Sequence, residues 1–323
     1  MRLVRRLLFV YALGELLLGS AAGLLVRASA PNGDAPTAGR NAAWIAHRWV
    51  GSPQSLAEIA TLCALLREHR IGTVYVHVGP ADAAGRVAAG RAPYAAQFAS
   101  TLHGVCPGIR ALAWIGQLLV SWDGLVDLRR GSVRNGLIGT AARVVASGFD
   151  GVQYDLEPVR DGYPGLEDLL RRARSALPHA WIAVATPPVR PPGGFGALPG
   201  LRLPLSPWGV EYYARVATLA DELDPMLYDT ALRTPADYAR FVAGQARVLG
   251  SALPGATIRL GLPTFGDRSA VFDARAENLA AACAGLAAAF GVGNWPASLV
   301  GFALYPLWLM TAPQWAALTR CGP

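Results

Sequence analysis

The feature that most constrains this 323-residue chain is an alternation repeated eight times, a short β-like apolar run followed by a longer stretch of helical periodicity. The β-like runs are 43–49, 71–78, 110–117, 151–156, 181–186, 225–229, 257–263 and 299–305. Helical patterns follow at 55–69, 92–103, 133–147, 165–176, 210–223, 235–249 and 270–290, with a closing helix at 313–318. Strands this continuously apolar suit a parallel sheet covered on both faces. A doubly wound open sheet is the competitor, but no G-x-G-x-x-G follows the first run and no Walker-type loop occurs. The pattern therefore predicts an α/β fold, a single-domain (β/α)8 TIM barrel over residues 43–323, with its functional residues at the C-terminal ends of the strands.

What precedes the barrel reads as a leader. Arg2, Arg5 and Arg6 open a mostly apolar run over 7–26, interrupted by Glu15 and ending in Arg27-Ala28-Ser29-Ala30. That is the order of an export signal, and residues 1–30 are assigned to it, with a short polar linker at 31–42. The run is also about 20 residues long, enough to span a bilayer, so a signal anchor tethering the protein through 7–26 is the alternative. Either places the domain outside the cytoplasm: secreted, periplasmic, or membrane-anchored and facing outward. The segment carries four arginines and one glutamate, so without it the formal charge falls from +7 to +4. No basic patch interleaved with aromatics stands out, and no nucleic-acid partner is expected. With 53% hydrophobic and 16% charged residues, the chain has too much apolar surface to stay disordered.

Cysteines stand at 63, 106, 283 and 321, none in a C-x-x-C pair or at zinc-site spacing. Two disulfides would be permitted after export; the spacing favours Cys63–Cys106 and Cys283–Cys321 if the intervening helices are neighbours. Four buried thiols are the alternative. The richest Pro/Gly stretch, 187–207, lies between the fifth strand and its helix, on the face where barrel sites form. It reads as a groove wall or lid, or as a proline-stiffened excursion.

The sharpest chemical feature is Asp155-Leu156-Glu157 at the end of the fourth strand. A two-residue period sends both carboxyls to the same side, with Cα atoms about 6.6 Å apart. Two acids sharing the barrel mouth cannot both ionise cheaply, so one holds its proton near neutrality. A proton donor beside a charged carboxylate is what glycosidic cleavage requires. The same acids read equally as loop charges that cap the following helix or pair with an arginine.

At this point the sequence resembles the glycoside hydrolase family 18 chitinases, as a divergent member. Their fourth-strand signature D-G-x-D-x-D-x-E is matched by Asp150-Gly151-Val152-Gln153-Tyr154-Asp155-Leu156-Glu157. Their M-x-Y-D on strand six is matched by Met226-Leu227-Tyr228-Asp229, and G-x-P-x-Y/F-G on strand seven by Gly261-Leu262-Pro263-Thr264-Phe265-Gly266. On the eighth strand Tyr305 and Trp308 stand near the usual floor tryptophan.

The resemblance implies hydrolysis of β-glycosidic bonds in N-acetylglucosamine-containing glycans: chitin-like, peptidoglycan or N-glycan. The implied reaction is retaining and substrate-assisted, with the 2-acetamido group as nucleophile. Glu157 would be the acid/base, Asp155 would orient and charge-balance the acetamide, and Tyr228 would bond its carbonyl. Asp229 would bind sugar hydroxyl or amide groups, and Trp308 would stack beneath a ring. Gln153 departs from the pattern, standing where the family has an aspartate that relays charge. A glutamine bonds but carries no charge, which leaves open a weak or inactive carbohydrate-binding protein on the same barrel. A glycosidase for sugars without an acetamide is a third reading. The seventh connection reads as a plain helix without the insertion that deepens many chitinase grooves, which implies a shallower cleft.

Inward parity on the strands adds Met226, Trp114, Gln117, Trp49 and His77 as pocket-lining candidates, and Trp122 and Asp123 on the connection after strand three. His47 and His77 read as hydrogen-bonded interior residues rather than metal ligands. No cofactor or metal is expected, the partner is an oligo- or polysaccharide substrate, and the chain is expected to act as a monomer.

Overall fold

The computed structural model describes residues 39–321 other than 197, 199, 204, 205, 292 and 293; the leader 1–30 and most of the linker lie outside the described residues. Eight parallel strands close in chain order, the last pairing back onto the first. They are β1 (Asn41–Ile45), β2 (Ile71–Pro80), β3 (Arg110–Leu118), β4 (Gly151–Glu157), β5 (Trp181–Thr186), β6 (Glu222–Pro225), β7 (Ile258–Pro263) and β8 (Leu299–Tyr305). The outer ring comprises α1 (Leu56–Glu68), α2 (Ala95–Val105), α3 (Gly131–Ala146), α4 (Pro164–Ala176), α5 (Val210–Ala217), α6 (Pro235–Ala252), α7 (Leu279–Phe290) and α8 (Ala312–Leu318). This is the predicted α/β barrel.

Local chemistry sets the helix starts. Ser55 accepts from the Glu58 amide while Glu58 returns a bond to the Ser55 amide, a reciprocal cap that opens α1. Thr234 caps α6 ahead of Pro235, and Asn278 caps α7 through the Ala281 amide. Period-two alternation then divides the core. Outward residues such as Val152, Tyr154 and Leu156 join the helices in one large apolar layer. Inward residues form a second cluster of Trp44, Tyr75, Leu112, Trp114 and Met226 with Ala42, Ala183, Ala185 and Ala303. The alanines make room for the rings, so the barrel axis is filled rather than hollow.

Four element boundaries differ from expectation. The helix at 210–223 ends at Ala217, and the sixth strand is Glu222–Pro225, earlier than 225–229. Glu222, within the expected helix, and Asp224, between the expected helix and strand, both point to the axis, where Tyr75 meets both and Arg259 meets Glu222. The long helix at 270–290 is shorter, Leu279–Phe290. Before it, Ser269 accepts from the amides of Val271 and Phe272, and Asp273 binds the Arg275 amide and guanidinium. These side-chain bonds compete with helix formation. The first strand stops at Ile45, so Trp49 sits on the helical turn Arg48–Gly51 instead of a strand.

Both favoured disulfides are present: Cys63–Cys106 ties α1 to the end of α2, and Cys283–Cys321 ties α7 to the residues after α8. In the 187–207 excursion, Val189 and Arg190 pair with Trp208 and Gly209, and the Gln245 amide binds Val189 through both N–H and C=O. Among the described residues, no helix is long and apolar enough to cross a membrane.

Candidate functional site

The site is built on β4. Gly151 starts the strand because a Cβ there would lie 1.9 Å from the Trp181 carbonyl oxygen, so the close approach of β5 excludes any side chain. Asp150, just before it, accepts from the Ala111 amide at 2.7 Å and pairs with His103 at 3.0 Å, away from the axis. From Gly151 the inward parity carries Gln153, Asp155 and Glu157 upward along the axis to the mouth.

Asp155 Oδ2 accepts the indole N–H of Trp114 at 2.8 Å. Its Oδ1 is buried and receives no hydrogen from an ordinary donor. The Glu157 carboxyl interacts with Asp155, and a bond between two carboxyl groups requires that one of them carry a proton. Burial first, and then the charge of Asp155, push the Glu157 carboxyl well above the usual carboxylate range. Burial raises Asp155 as well, though less far, because the bonds from Glu157 and Trp114 and the nearby His77 oppose the shift. Glu157 is thus the acid that keeps the proton and Asp155 the partner that gives it up.

Tyr228 and Asp229 follow β6 and enter the same field. The Tyr228 hydroxyl is raised well above its ordinary value by burial, then by Tyr305, Glu157, Asp155 and Asp229. Burial pushes Asp229 up to about 7. Its backbone is left-handed (φ 56°), as is that of Ala231 (φ 57°), and the turn between them is held by Glu277, which accepts the Thr230 amide at 3.1 Å. Glu277, buried on the connection before α7, is itself pushed up to about 8.

Aromatic rings wall the mouth. Tyr305 stacks on Tyr228 with centroids 5.7 Å apart and meets Trp114, Phe265 and Trp44 edge-on. His77 lies 4.4 Å from Trp114, and Met226 is buried in the same inner cluster, against which Trp122 packs. Trp308 meets Tyr305 at 6.4 Å and is 40% exposed. Of the five large apolar side chains exposed among the described residues, Val120, Leu125, Trp308 and Leu309 lie on the connections leaving β3 and β8.

Below the carboxyl pair, Gln153 is fully buried. It accepts the Trp44 indole N–H and donates to Asp224 Oδ2, both at 2.6 Å. Asp224 also meets the Tyr75 hydroxyl at 2.8 Å, and Tyr75 in turn reaches Glu222, which pairs with Arg259.

The structure therefore brings together Glu157, Asp155, Tyr228, Asp229, Trp114, His77, Tyr305 and Met226, with Trp308 at the rim and Gln153 beneath. It leaves two candidates outside. Gln117 faces away from the axis, its amide spent on the Ala81 carbonyl and the Leu118 N–H. Trp49 packs in the outer layer on Phe98. Sequence reasoning missed Trp44, Asp224 and Glu277. Period-two counting back from Tyr228 through Met226 reaches Asp224, whereas nothing local marks Trp44 or Glu277. Among the described residues, no group of three or more His, Cys, Asp or Glu side chains is arranged to hold a metal ion.

No protein-family model matches the chain, and no curated protein matches it. Solved structures do match its fold. A chitinase from Chromobacterium violaceum ATCC 12472 aligns over 88% of this chain and 98% of its own, at 17% identity and TM-score 0.57. The class V chitinase from Nicotiana tobaccum aligns over 88% and 99%, at 12% identity and TM-score 0.56. The spore cortex-lytic enzyme SleL of Bacillus megaterium QM B1551 aligns over 88% and 74%, at 12% identity and TM-score 0.53. The chain has a chitinase-like (β/α)8 barrel fold.

Proposed function

We propose that this chain is a divergent family 18 glycoside hydrolase that cleaves β-glycosidic bonds in N-acetylglucosamine-containing glycans with retention of configuration. The observation that carries this reading is the placement of Asp155, Glu157 and Tyr228 at the ends of β4 and β6 around one aromatic-walled mouth, with Trp114 bonded to Asp155 and Tyr305 stacked on Tyr228. Glu157 gives its proton to the leaving oxygen as the acetamide oxygen of the substrate attacks the anomeric carbon and the glycosidic bond breaks. Asp155, ionised, balances the positive charge that develops on the acetamide, while Tyr228 donates a hydrogen bond to its oxygen. Water then opens the cyclic intermediate and returns its proton to Glu157. Asp229, with a carboxyl poised near 7, can donate or accept toward sugar hydroxyls. The exposed Trp308 and its apolar neighbours offer a platform for further sugar rings. The two disulfides favour an oxidising compartment, in keeping with export by the leader and action outside the cytoplasm as a monomer.

The test compares wild type with Glu157→Gln on aryl-N-acetylglucosaminides, chitin oligosaccharides and peptidoglycan fragments. Turnover by wild type with a loss of at least a hundredfold in the variant supports the reading; equal turnover overturns it. The neutral Gln153 favours a second reading, carbohydrate binding without turnover. Calorimetric binding of oligosaccharides with no product formed would establish it.

A further inference from the structure

Two tryptophans each give their indole N–H to one of the successive inward polar side chains of β4, Trp44 to Gln153 and Trp114 to Asp155. The lower bond fixes which way the Gln153 amide faces, because an indole only donates and so must meet the amide oxygen. The upper bond is more consequential. Trp114 and Asp155 sit on adjacent strands, with Gly116 directly opposite Asp155 in the register. Gly116 shares the inward face with Trp114, and a Cβ there would come within 3.2 Å of the indole nitrogen. The absent side chain is therefore what lets the ring lie along β3 and reach across to the carboxylate. His77 and Tyr305 brace the ring from β2 and β8.

A donor at 2.8 Å on Oδ2 favours the ionised form of Asp155. We propose that Trp114 is the positioning residue that assigns the shared proton to Glu157, by fixing Asp155 as the carboxylate of the pair, with Gly116 providing the space for it. The charged and titratable groups around the pair are His77 on β2, Tyr228 and Asp229 beyond β6, and Asp224 on β6 behind the neutral Gln153. This deepens the hydrolase reading and rests on it for its kinetic consequence, but the proton assignment itself can be read without substrate.

Two measurements test it. In two-dimensional NMR of the full chain, the Trp114 indole N–H resonance is identified by its loss in Trp114→Phe. It should move as Asp155 titrates and be displaced in Asp155→Asn; a resonance indifferent to both overturns the proposal. In kinetics on an aryl-N-acetylglucosaminide, Trp114→Phe should move the acid limb of kcat/KM upward by about one pH unit, roughly a tenfold loss on the acid side. Gly116→Ala, which crowds the ring without removing the donor, should move it the same way by less. A loss uniform across pH and confined to KM would make Trp114 a sugar platform and overturn the proton assignment. Absence of turnover in wild type would count against the hydrolase reading, while the NMR result would still decide the role of Trp114.

Discussion

Gln153 Nε2 donates to Asp224 Oδ2 at 2.6 Å, joining β4 to β6 inside the barrel. This contact accounts physically for the glutamine in the D-G-x-D-x-D-x-E pattern. An aspartate at 153 would set a carboxyl against Asp224, which burial and the charge of Glu222 already push well above its ordinary range. A neutral donor on one strand and an acid on the other satisfy both.

The first prediction follows from that pairing. Gln153→Asp should destabilise the fold by about 3 kcal/mol at neutral pH, because two buried acids then share a site without a donor between them. The new carboxyl has a folded-state pKa above its unfolded value, so the penalty should shrink as the pH falls toward 4 and grow as it rises. Thermal melts across pH read this directly, and Gln153→Asp combined with Asp224→Asn should recover most of the loss.

The shared proton predicts a bell-shaped pH profile for kcat/KM, with apparent values that belong to the pair. The alkaline limb marks loss of the proton that burial and Asp155 hold on Glu157. Asp155→Asn removes the charge that raises Glu157, so that limb should move to lower pH while kcat falls by about a hundredfold or more. A limb that stays in place in the variant would separate Asp155 from Glu157.

Tyr228→Phe keeps the ring that stacks on Tyr305 and removes the hydroxyl facing the pair. We expect kcat to fall by about a hundredfold with KM and melting temperature nearly unchanged. Steady-state kinetics and a melt on the same preparation check this.

Glu277→Ala leaves the buried Thr230 amide without its acceptor and frees the left-handed turn at Asp229–Ala231. The expected cost is about 1–3 kcal/mol of stability, with weaker substrate binding because Asp229 loses its fixed position. Glu277→Gln, which keeps an acceptor oxygen, should recover most of both.

The disulfides close stretches of 43 and 38 residues, which on the chain-entropy account is worth about 4 kcal/mol each. Both lie among the outer helices, so reduction should lower the denaturation midpoint while leaving the initial rate at 25 °C unchanged. Guanidinium titrations with and without reductant measure the first, and a rate assay the second.

The barrel and the Asp155–Glu157 pair were legible because period-two alternation governs both the strands and the direction of their side chains. At β6 the alternation holds but the apolar pattern does not: Glu222 and Asp224 interrupt it yet face inward, Glu222 paired with Arg259 and both accepting from the Tyr75 hydroxyl, on strands distant in sequence. Gln117 was misplaced for a related reason. It lies one residue out of step with Trp114 and Gly116, and a slip of one turns a side chain to the opposite face. Trp49 was misplaced because β1 stops at Ile45, four residues before the end of its apolar run. Glu277 was invisible since its role depends on a turn 47 residues earlier in the chain.

The closure of β8 onto β1 has a practical consequence. Because β1 is parallel to the other strands, the chain enters the barrel at Asn41 on the end opposite Glu157 and Tyr305. A surface joined to the chain at Gly39 therefore meets the barrel at the end away from the carboxyl pair, so the domain can be held there and still offered intact, insoluble glycan.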